Sequence, residues 1–297
     1  MTLVPGRDLL LSAAMPTVYL NGRFVPEAEA GISPLDRGFL FGDAIYEVVR
    51  FDRGRGYRLS EHLDRMRDGL SAIRLDAPVD FFAPAAERLL AENGLSGKDA
   101  FVYAQVSRGA APRYHAFPPP GTTPTVFAFA RETDPPPPPE GGRAILLTDE
   151  RWGRCDIKSV NLLPNVLAAQ KARDSGVMDA ILVRDGFALE GTKANLFMVA
   201  PGGVVRTAPN GPRILPGVTR AAAIEAARRL GFTVEERAFR VEEMFAAQEV
   251  MFASTTLWTY PLVEIEGRQI GNGKPGPAAR MIRDALLAEF SGAATPA

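Results

Sequence analysis

The chain has 297 residues, of which 46% are hydrophobic and 23% charged, and its formal net charge is -1. This composition is typical of a soluble globular protein with one large domain or two ordinary ones. The balanced charge, with no block of lysine and arginine, argues against nucleic-acid binding, which depends on cations that neutralise phosphates. The single cysteine, Cys155, excludes an internal disulfide and fits a reducing compartment such as the cytoplasm, and with only two histidines we expect no metal site.

The first 16 residues contain an apolar run that is shorter than the core of a signal peptide. We expect a disordered N-terminal extension there, or a coding start placed too early, with Met15 as the true start. No other stretch approaches the length of a membrane span, so we expect no membrane partner.

A small α/β domain is predicted for residues 17–133. It opens with a hairpin in VYLNGRFV, because the dipeptide Asn21-Gly22 suits a type I′ turn. A helix in SEHLDRMRDGLSAIRL is expected to have Ser60 as its N-cap, and a second, in FFAPAAERLLAENG, to end at Gly94. Aromatic and branched residues then predict strands in AFVYAQVSRG and TPTVFAFAR.

Residues 134–142, DPPPPPEGG, form the predicted interdomain linker, because each proline lacks a donor N–H and fixes φ. Residues 143–297 form the predicted large domain. It should contain a strand in RAILLTDE, a helix at 161–175, a strand pair turning at Asp185-Gly186, a helix in GVTRAAAIEAARRLG and a last helix at 277–290. Helices and strands are intermixed in both halves, so the predicted fold class is α+β or mixed α/β in two domains.

Lys158 stands out because the chain has five lysines and uses arginine for almost every other positive charge. It lies in CDIKSVNLLPN, where a strand-like segment precedes a helix. A neutral lysine amine can attack a carbonyl carbon and form a Schiff base. The alternative is an exposed lysine at an ordinary helix start.

Three further elements offer groups for a bound cofactor. In ILPGVTR, the first amides of a helix, at Val218 and Thr219, can bind a phosphate, although an ordinary capped helix has the same pattern. The hydroxyls of Ser254 and Thr255, after the strand EVMFA, can add donors or simply form a turn. Glu190, at a strand end before a glycine, can hold a proton on a ring nitrogen or be a solvated turn residue.

The segment APRYHAFP places Arg113 and His115 two residues apart. In an extended segment such residues point to the same side, so they can converge on one carboxylate, which arginine grips with two parallel hydrogen bonds. The alternative is a loop arginine with a histidine packed beneath it. The flanking prolines favour a rigid loop.

These motifs occur in the order of one family. LDRGFLFGDAIYEVVR, EHLDR, CDIKSVNLLPNVLA, LEGTKANLF, ILPGVTR and ASTT resemble, at fitting spacings, blocks of the class IV (fold-type IV) pyridoxal-phosphate aminotransferases, over nearly the whole chain after Met15. The resemblance implies two domains with the active site at their interface and pyridoxal 5'-phosphate as cofactor. It also implies that Lys158 forms the Schiff base and that Glu190 pairs with the pyridine nitrogen. The phosphate would be held by Arg65, Val218, Thr219, Ser254 and Thr255.

The element RYH resembles the arginine-X-histidine pair with which D-amino acid transaminases bind the substrate α-carboxylate, together with a tyrosine that corresponds to Tyr46. This resemblance implies transamination between D-amino acids such as D-alanine and 2-oxo acids such as 2-oxoglutarate or pyruvate. It further implies a homodimer in which the carboxylate loop comes from the neighbouring subunit.

Some positions depart from the D-specific pattern. Lys193, Trp258 and Tyr260 stand where small or polar residues are usual, so they could narrow the pocket for the substrate side chain. The alternatives within the family are an L-branched-chain amino acid aminotransferase and an aminodeoxychorismate-type lyase. A protein that binds the cofactor without turning it over is the alternative outside enzymes.

Overall fold

A computed structural model describes residues 16–134 and 138–292 of the chain. The expected N-terminal extension therefore lies outside the described residues, apart from Pro16, and so does the middle of the expected linker. Helices and strands are intermixed in both halves of the described chain, which confirms the mixed fold class.

An antiparallel sheet in the first half has the strand order β2-β1-β6-β5-β3-β4. The hairpin turn between the first two strands has positive φ at Asn21 and Gly22, 49° and 84°, as a type I′ turn requires. The expected hairpin is thus confirmed. The strands are β1 (Thr17–Leu20), β2 (Arg23–Pro26), β3 (Ala44–Asp52), β4 (Arg55–Gly56), β5 (Asp99–Ser107) and β6 (Thr125–Glu132).

The helices of this half are α1 (Arg37–Phe41), α2 (Leu59–Ala72) and α3 (Phe82–Glu92). Helix α3 and the start of α2 pack on one sheet face, where small and branched side chains of β3, β5 and β6 form a core with apolar helix residues such as Leu89. The prediction of Ser60 as an N-cap is wrong. Helix α2 begins two residues earlier than that N-cap implies, at Leu59, after Arg58 with φ 47°. The Ser60 hydroxyl donates to Glu61 instead.

A mixed sheet in the second half has the order β12-β11-β10-β14-β15-β7-β8-β9-β13, and β16 pairs with β15. A further pairing, Glu190 of β9 with Asn195 of β10, closes six of these strands into a ring. The strands are β7 (Gly142–Thr148), β8 (Asp179–Arg184), β9 (Phe187–Gly191), β10 (Asn195–Val199), β11 (Val205–Thr207), β12 (Val234–Glu236), β13 (Phe239–Arg240), β14 (Glu249–Ser254), β15 (Trp258–Ile265) and β16 (Arg268–Gln269).

The helices of the second half are α4 (Leu163–Asp174), α5 (Val218–Arg229), α6 (Val241–Phe245) and α7 (Pro277–Ser291). Helices α5 and α7 pack over the sheet around Trp258, whose ring centroid lies 5.1 Å from that of Tyr57 and 4.9 Å from that of Phe290. Trp258 and Tyr260 are therefore buried in the interior. The expectation that they narrow a substrate pocket is not met at Trp258, which is wholly enclosed by this core.

The two sheets are separate, and the chain passes from one to the other between Glu132 and Gly142. The predicted linker occupies that interval, while the division into two independent domains stays a prediction. In the described part of the chain, no helix is long and apolar enough to cross a membrane.

Candidate active site

Lys158 lies where the second half of the chain returns to the first sheet. Its segment connects β7 with α4 and pairs with the free edge of β3, through a bridge between Ser159 and Ile45 and a 3.0 Å hydrogen bond from the Tyr46 N–H to the Lys158 carbonyl. The Lys158 Nζ lies 4.2 Å from the centre of the Tyr46 ring. Lys158 is half-buried and helix α4 begins only at Leu163, so it is not an exposed lysine at a helix start.

Glu47, the residue after Tyr46, points to the opposite face of β3 and is fully buried. Its carboxylate accepts hydrogen bonds from the Arg65 guanidinium at 2.7 and 2.9 Å and lies 2.7 Å from the His62 Nδ1. Burial raises the pKa of Glu47, but the charge of Arg65 and hydrogen bonds from His62 and Arg65 outweigh it and hold the pKa well below its usual range. Burial lowers the pKa of His62.

Arg65 also reaches the start of helix α5. Its Nη1 donates to the Pro216 carbonyl at 3.0 Å, directly before Gly217, the N-cap residue of α5. No side chain caps this helix start, so its first N–H groups, at Val218 and Thr219, keep their donor capacity. A guanidinium and the positive end of a helix dipole thus meet at one place, which suits an anion.

Glu190 lies at the end of β9 with only 4% of its surface exposed, so it is not a solvated turn residue. Its carboxylate accepts hydrogen bonds from Asn195 Nδ2 at 3.0 Å and from the Leu215 N–H at 3.2 Å, and it pairs with Arg151. Burial raises the pKa of Glu190, and the charge of Arg151 opposes that rise. The Glu190 carboxylate is therefore bonded to the backbone of Leu215, two residues before Gly217, the N-cap residue of α5.

Ser254 and Thr255 lie at the end of β14 and are half-buried. In the pairing of β14 with β10, Ala253 is opposite Asn195, the residue that binds Glu190. Ser254 and Thr255 follow Ala253 directly in the chain. The Ser254 Oγ accepts from the Leu257 N–H at 3.3 Å, so the ordinary turn that the sequence left open is also present.

Arg113 and His115 are exposed and pack against Phe41 of α1. The Arg113 Cζ lies 5.2 Å from the Phe41 ring centre, and the His115 ring lies 5.6 Å from it. Within the described residues, the ring contacts of both side chains are with Phe41 and not with Tyr46.

Several residues of the site were not predicted individually. Glu47 and His62 had a signal, because Glu47 is a carboxylate inside an apolar strand and His62 lies three residues before Arg65 on one helix face. Local sequence patterns gave no signal for Arg151 or Asn195. Arg151 is 39 residues from Glu190 in sequence, so only the tertiary fold reveals the pair.

The contacts join three chemically different groups: the Lys158 amine, the Glu190 carboxylate and the uncapped start of α5 beside Arg65. This set fits a cofactor that has a carbonyl carbon, a basic ring nitrogen and a phosphate. The residues that the structure describes contain no cluster of histidine, cysteine and carboxylate side chains suited to a metal ion.

Comparison with known proteins agrees with this chemistry. The family model for amino-transferase class IV matches residues 44–265. The D-alanine aminotransferase of Bacillus licheniformis is 38% identical over 273 residues, covering 91% of this chain and 95% of that protein. The D-alanine aminotransferase of Staphylococcus haemolyticus is 37% identical over 274 residues, covering 91% and 96%.

Solved structures share the fold at lower identity. A branched-chain aminotransferase from Thermoproteus uzoniensis with norvaline has a TM-score of 0.82 and 27% identity, covering 93% of this chain and 95% of that one. The T.th. branched-chain amino acid aminotransferase with pyridoxamine 5'-phosphate has a TM-score of 0.84 and 26% identity, covering 95% and 96%.

Proposed function

The chain belongs to the class IV aminotransferases, and from this premise we propose that it uses pyridoxal 5'-phosphate to exchange amino groups between D-amino acids, such as D-alanine, and 2-oxoglutarate or pyruvate. The observation that carries the proposal is the chain of contacts from Lys158 through Tyr46, Glu47 and Arg65 to the start of α5. These contacts connect the Lys158 amine to the anion-binding site at the start of α5.

The cofactor would be held at both ends. Arg65, the amides of Val218 and Thr219, and the hydroxyls of Thr219, Ser254 and Thr255 would bind its phosphate. When bound, it supplies a carbonyl carbon for amine exchange and a ring that accepts electrons. Glu190 would hold a proton on the ring nitrogen, since its carboxylate is buried and fixed by Asn195, Leu215 and Arg151.

Lys158 would have two tasks in turn. Its amine would first hold the carbonyl carbon of the cofactor. Once freed by the amino group of the substrate, it would act as the base that moves a proton between the substrate α-carbon and that cofactor carbon. The pairing of its segment with β3 fixes the amine on one side of the site. The side from which the proton is removed is therefore fixed too, and the position of the carboxylate decides which enantiomer reacts.

Arg113 and His115, with Tyr46, would bind the substrate carboxylate and so select D-amino acids. The relatives named D-alanine aminotransferase, 38% and 37% identical, support this choice over the branched-chain alternative, which rests on fold neighbours 25–27% identical. Because Arg113 and His115 are exposed on a single chain and lie against Phe41, the pair would serve the site of a neighbouring subunit.

A homodimer would bring Arg113 and His115 of one subunit to the active site of the other. Large apolar side chains are exposed on a single chain, including Phe39 (76% exposed), Tyr114 (70%) and Leu163 (68%). Exposed apolar groups of this size near a functional loop are typical of an interface. With its single cysteine, the enzyme would operate in the cytoplasm.

The test is a paired assay with the purified protein. D-Alanine and L-leucine are each supplied with 2-oxoglutarate, and the 2-oxo acid formed from each donor is measured, with Lys158→Ala as the inactive control. We expect pyruvate from D-alanine and little product from L-leucine. Faster reaction of L-leucine would replace the proposal with the branched-chain alternative. No reaction of either donor, with pyruvate released from aminodeoxychorismate in the absence of 2-oxoglutarate, would indicate a lyase.

A further inference from the structure

A largely buried ionic cluster lies behind the loop that carries Arg113 and His115. The Asp43 carboxylate accepts from Arg37 Nε at 2.8 Å, and from Arg108 Nε at 2.8 Å and Nη2 at 3.0 Å. Arg37 is 3% exposed and Arg108 is 6% exposed. Burying two guanidinium groups is costly unless their donors are satisfied, so this cluster should have a definite task.

The remaining donors of Arg37 bind the loop, while those of Arg108 bind the Ile73 and Arg74 carbonyls after helix α2. The Arg37 Nη1 donates to the Tyr114 carbonyl at 2.6 Å and its Nη2 to the His115 carbonyl at 3.3 Å. The Arg108 Cζ lies 3.8 Å from the centre of the Phe117 ring. The cluster of Arg37, Asp43 and Arg108 thus contacts the backbone of the loop at Tyr114 and His115 and the ring of Phe117.

The ring of Phe41 completes the support from the side of α1. It lies against Arg37 at 4.7 Å, against Arg113 at 5.2 Å and against the His115 ring at 5.6 Å. The side chains of Arg113 and His115 are exposed, so their positions depend on the backbone carbonyls that Arg37 holds and on this ring contact.

We propose that Arg37 and Asp43 are positioning residues for the Arg113–His115 pair, and that they set the affinity of the enzyme for the substrate carboxylate without touching it. The inference rests on the proposed function, because it requires that this pair binds the carboxylate. Its physical basis is geometric: a guanidinium that binds a carboxylate with two bonds must be oriented before the substrate arrives.

The best variant is Arg37→Lys. Lysine keeps the positive charge beside Asp43, but its single ammonium group cannot bind that carboxylate and both loop carbonyls in the geometry of a guanidinium. Asp43→Asn is the second variant, since it keeps the size of the side chain but removes the charge that orders both arginines. Arg206→Lys is the control, because Arg206 is a half-buried arginine in an ion pair, with Glu235 at 2.6 Å, in the other sheet.

Steady-state kinetics of the holoenzyme with D-alanine separate positioning from general damage. We expect Arg37→Lys and Asp43→Asn to raise KM about 10- to 100-fold while kcat changes little, because only carboxylate binding is disturbed. Arg206→Lys should resemble the wild type. The visible absorbance of the bound cofactor reports whether each variant is folded and loaded.

A double-mutant cycle gives the decisive readout. In an Arg113→Ala/His115→Ala background, Arg37→Lys should have almost no further effect on KM, since it acts only through the missing pair. An equal rise in KM in both backgrounds, or an unchanged KM in the loaded Arg37→Lys enzyme, overturns the inference. Lack of D-alanine turnover by the wild type would instead mean that the proposed function has failed. If Asp43→Asn does not retain the cofactor, the double-mutant cycle with Arg37→Lys tests the inference by itself.

Discussion

At the level of single residues, Lys158 differs from the other four lysines of the chain, all of which are exposed. Lys158→Ala should lower the rate of D-alanine transamination about 10²- to 10⁴-fold, the usual effect of losing a catalytic base, and should abolish covalent attachment of the cofactor. Lys171→Ala, on the exposed side of α4, is the control. Borohydride reduction followed by peptide mass spectrometry measures attachment. A label found on another lysine would contradict the assignment.

The buried pair of Glu47 and His62 predicts how stability depends on pH. Both pKa values are lowered in the folded protein, so the unfolded chain binds more protons than the folded one as the pH falls below about 6.5 for His62 and about 4.3 for Glu47. Stability should therefore be greatest above about pH 7 and should fall in these two windows.

Urea-unfolding midpoints measured from about pH 8 to about pH 3 check this prediction. In His62→Gln the decline that starts near pH 6.5 should disappear, while the decline attributed to Glu47 should remain. Parallel curves for the variant and the wild type would show that His62 does not couple folding to protonation in this range.

At the level of elements, the start of α5 connects the phosphate end of the site to the Glu190 end. A Cβ on Gly217 would lie 2.0 Å from the Asn195 Oδ1, and Asn195 binds both Glu190 and the Leu215 carbonyl. Gly217→Ala should therefore destabilise the protein by about 1–3 kcal/mol and weaken cofactor binding, because Asn195 must move.

The measurement is the free energy of unfolding together with a titration of the apoenzyme with pyridoxal 5'-phosphate. Gly97→Ala is the control, because a Cβ there meets nothing within 4 Å and its φ is not positive. Cofactor binding as tight in Gly217→Ala as in the wild type would mean that Asn195 can shift without disturbing the site.

Local patterns were enough to predict most elements. The predicted turns at Asn21-Gly22 and Asp185-Gly186 both form, and positive φ was predicted at the first of them. Helix α7 matches the predicted helix to within one residue. Ser60 failed as an N-cap because Arg58, in the left-handed region, starts the helix earlier, and side-chain propensity does not report such backbone geometry.

The site was harder to predict than the elements. Tertiary contacts join residues far apart in sequence, such as Arg65 with Pro216 and Arg151 with Glu190. The periodicity of the sequence does not show that these residues are in contact. Predicting that Lys158, Glu190 and α5 share one site therefore required comparison of the motif order with that of a known family.

At the level of the whole molecule, the exposure of Arg113 and His115 and of large apolar side chains on a single chain supports the proposed homodimer. Phe39→Asp should convert a dimer into a monomer by placing a charge in an apolar interface, and D-alanine turnover should fall roughly 100-fold as the neighbouring loop is lost. Light scattering after gel filtration measures the mass. Met281→Asp, at a 42% exposed residue of α7, is the control. A fully active Phe39→Asp monomer would refute the role of the neighbouring loop.

The proposed mechanism requires that Lys158 removes the α-proton from a D-amino acid whose carboxylate is held by Arg113 and His115. Exchange of the α-deuterium of alanine with solvent, followed by NMR for each enantiomer, tests both parts together. Wild-type enzyme should exchange D-alanine and leave L-alanine labelled, with exchange about 10²- to 10⁴-fold slower in Lys158→Ala and slowed at low substrate in Arg113→Ala. Preferential exchange of L-alanine, or exchange as fast in Lys158→Ala as in the wild type, would contradict this mechanism.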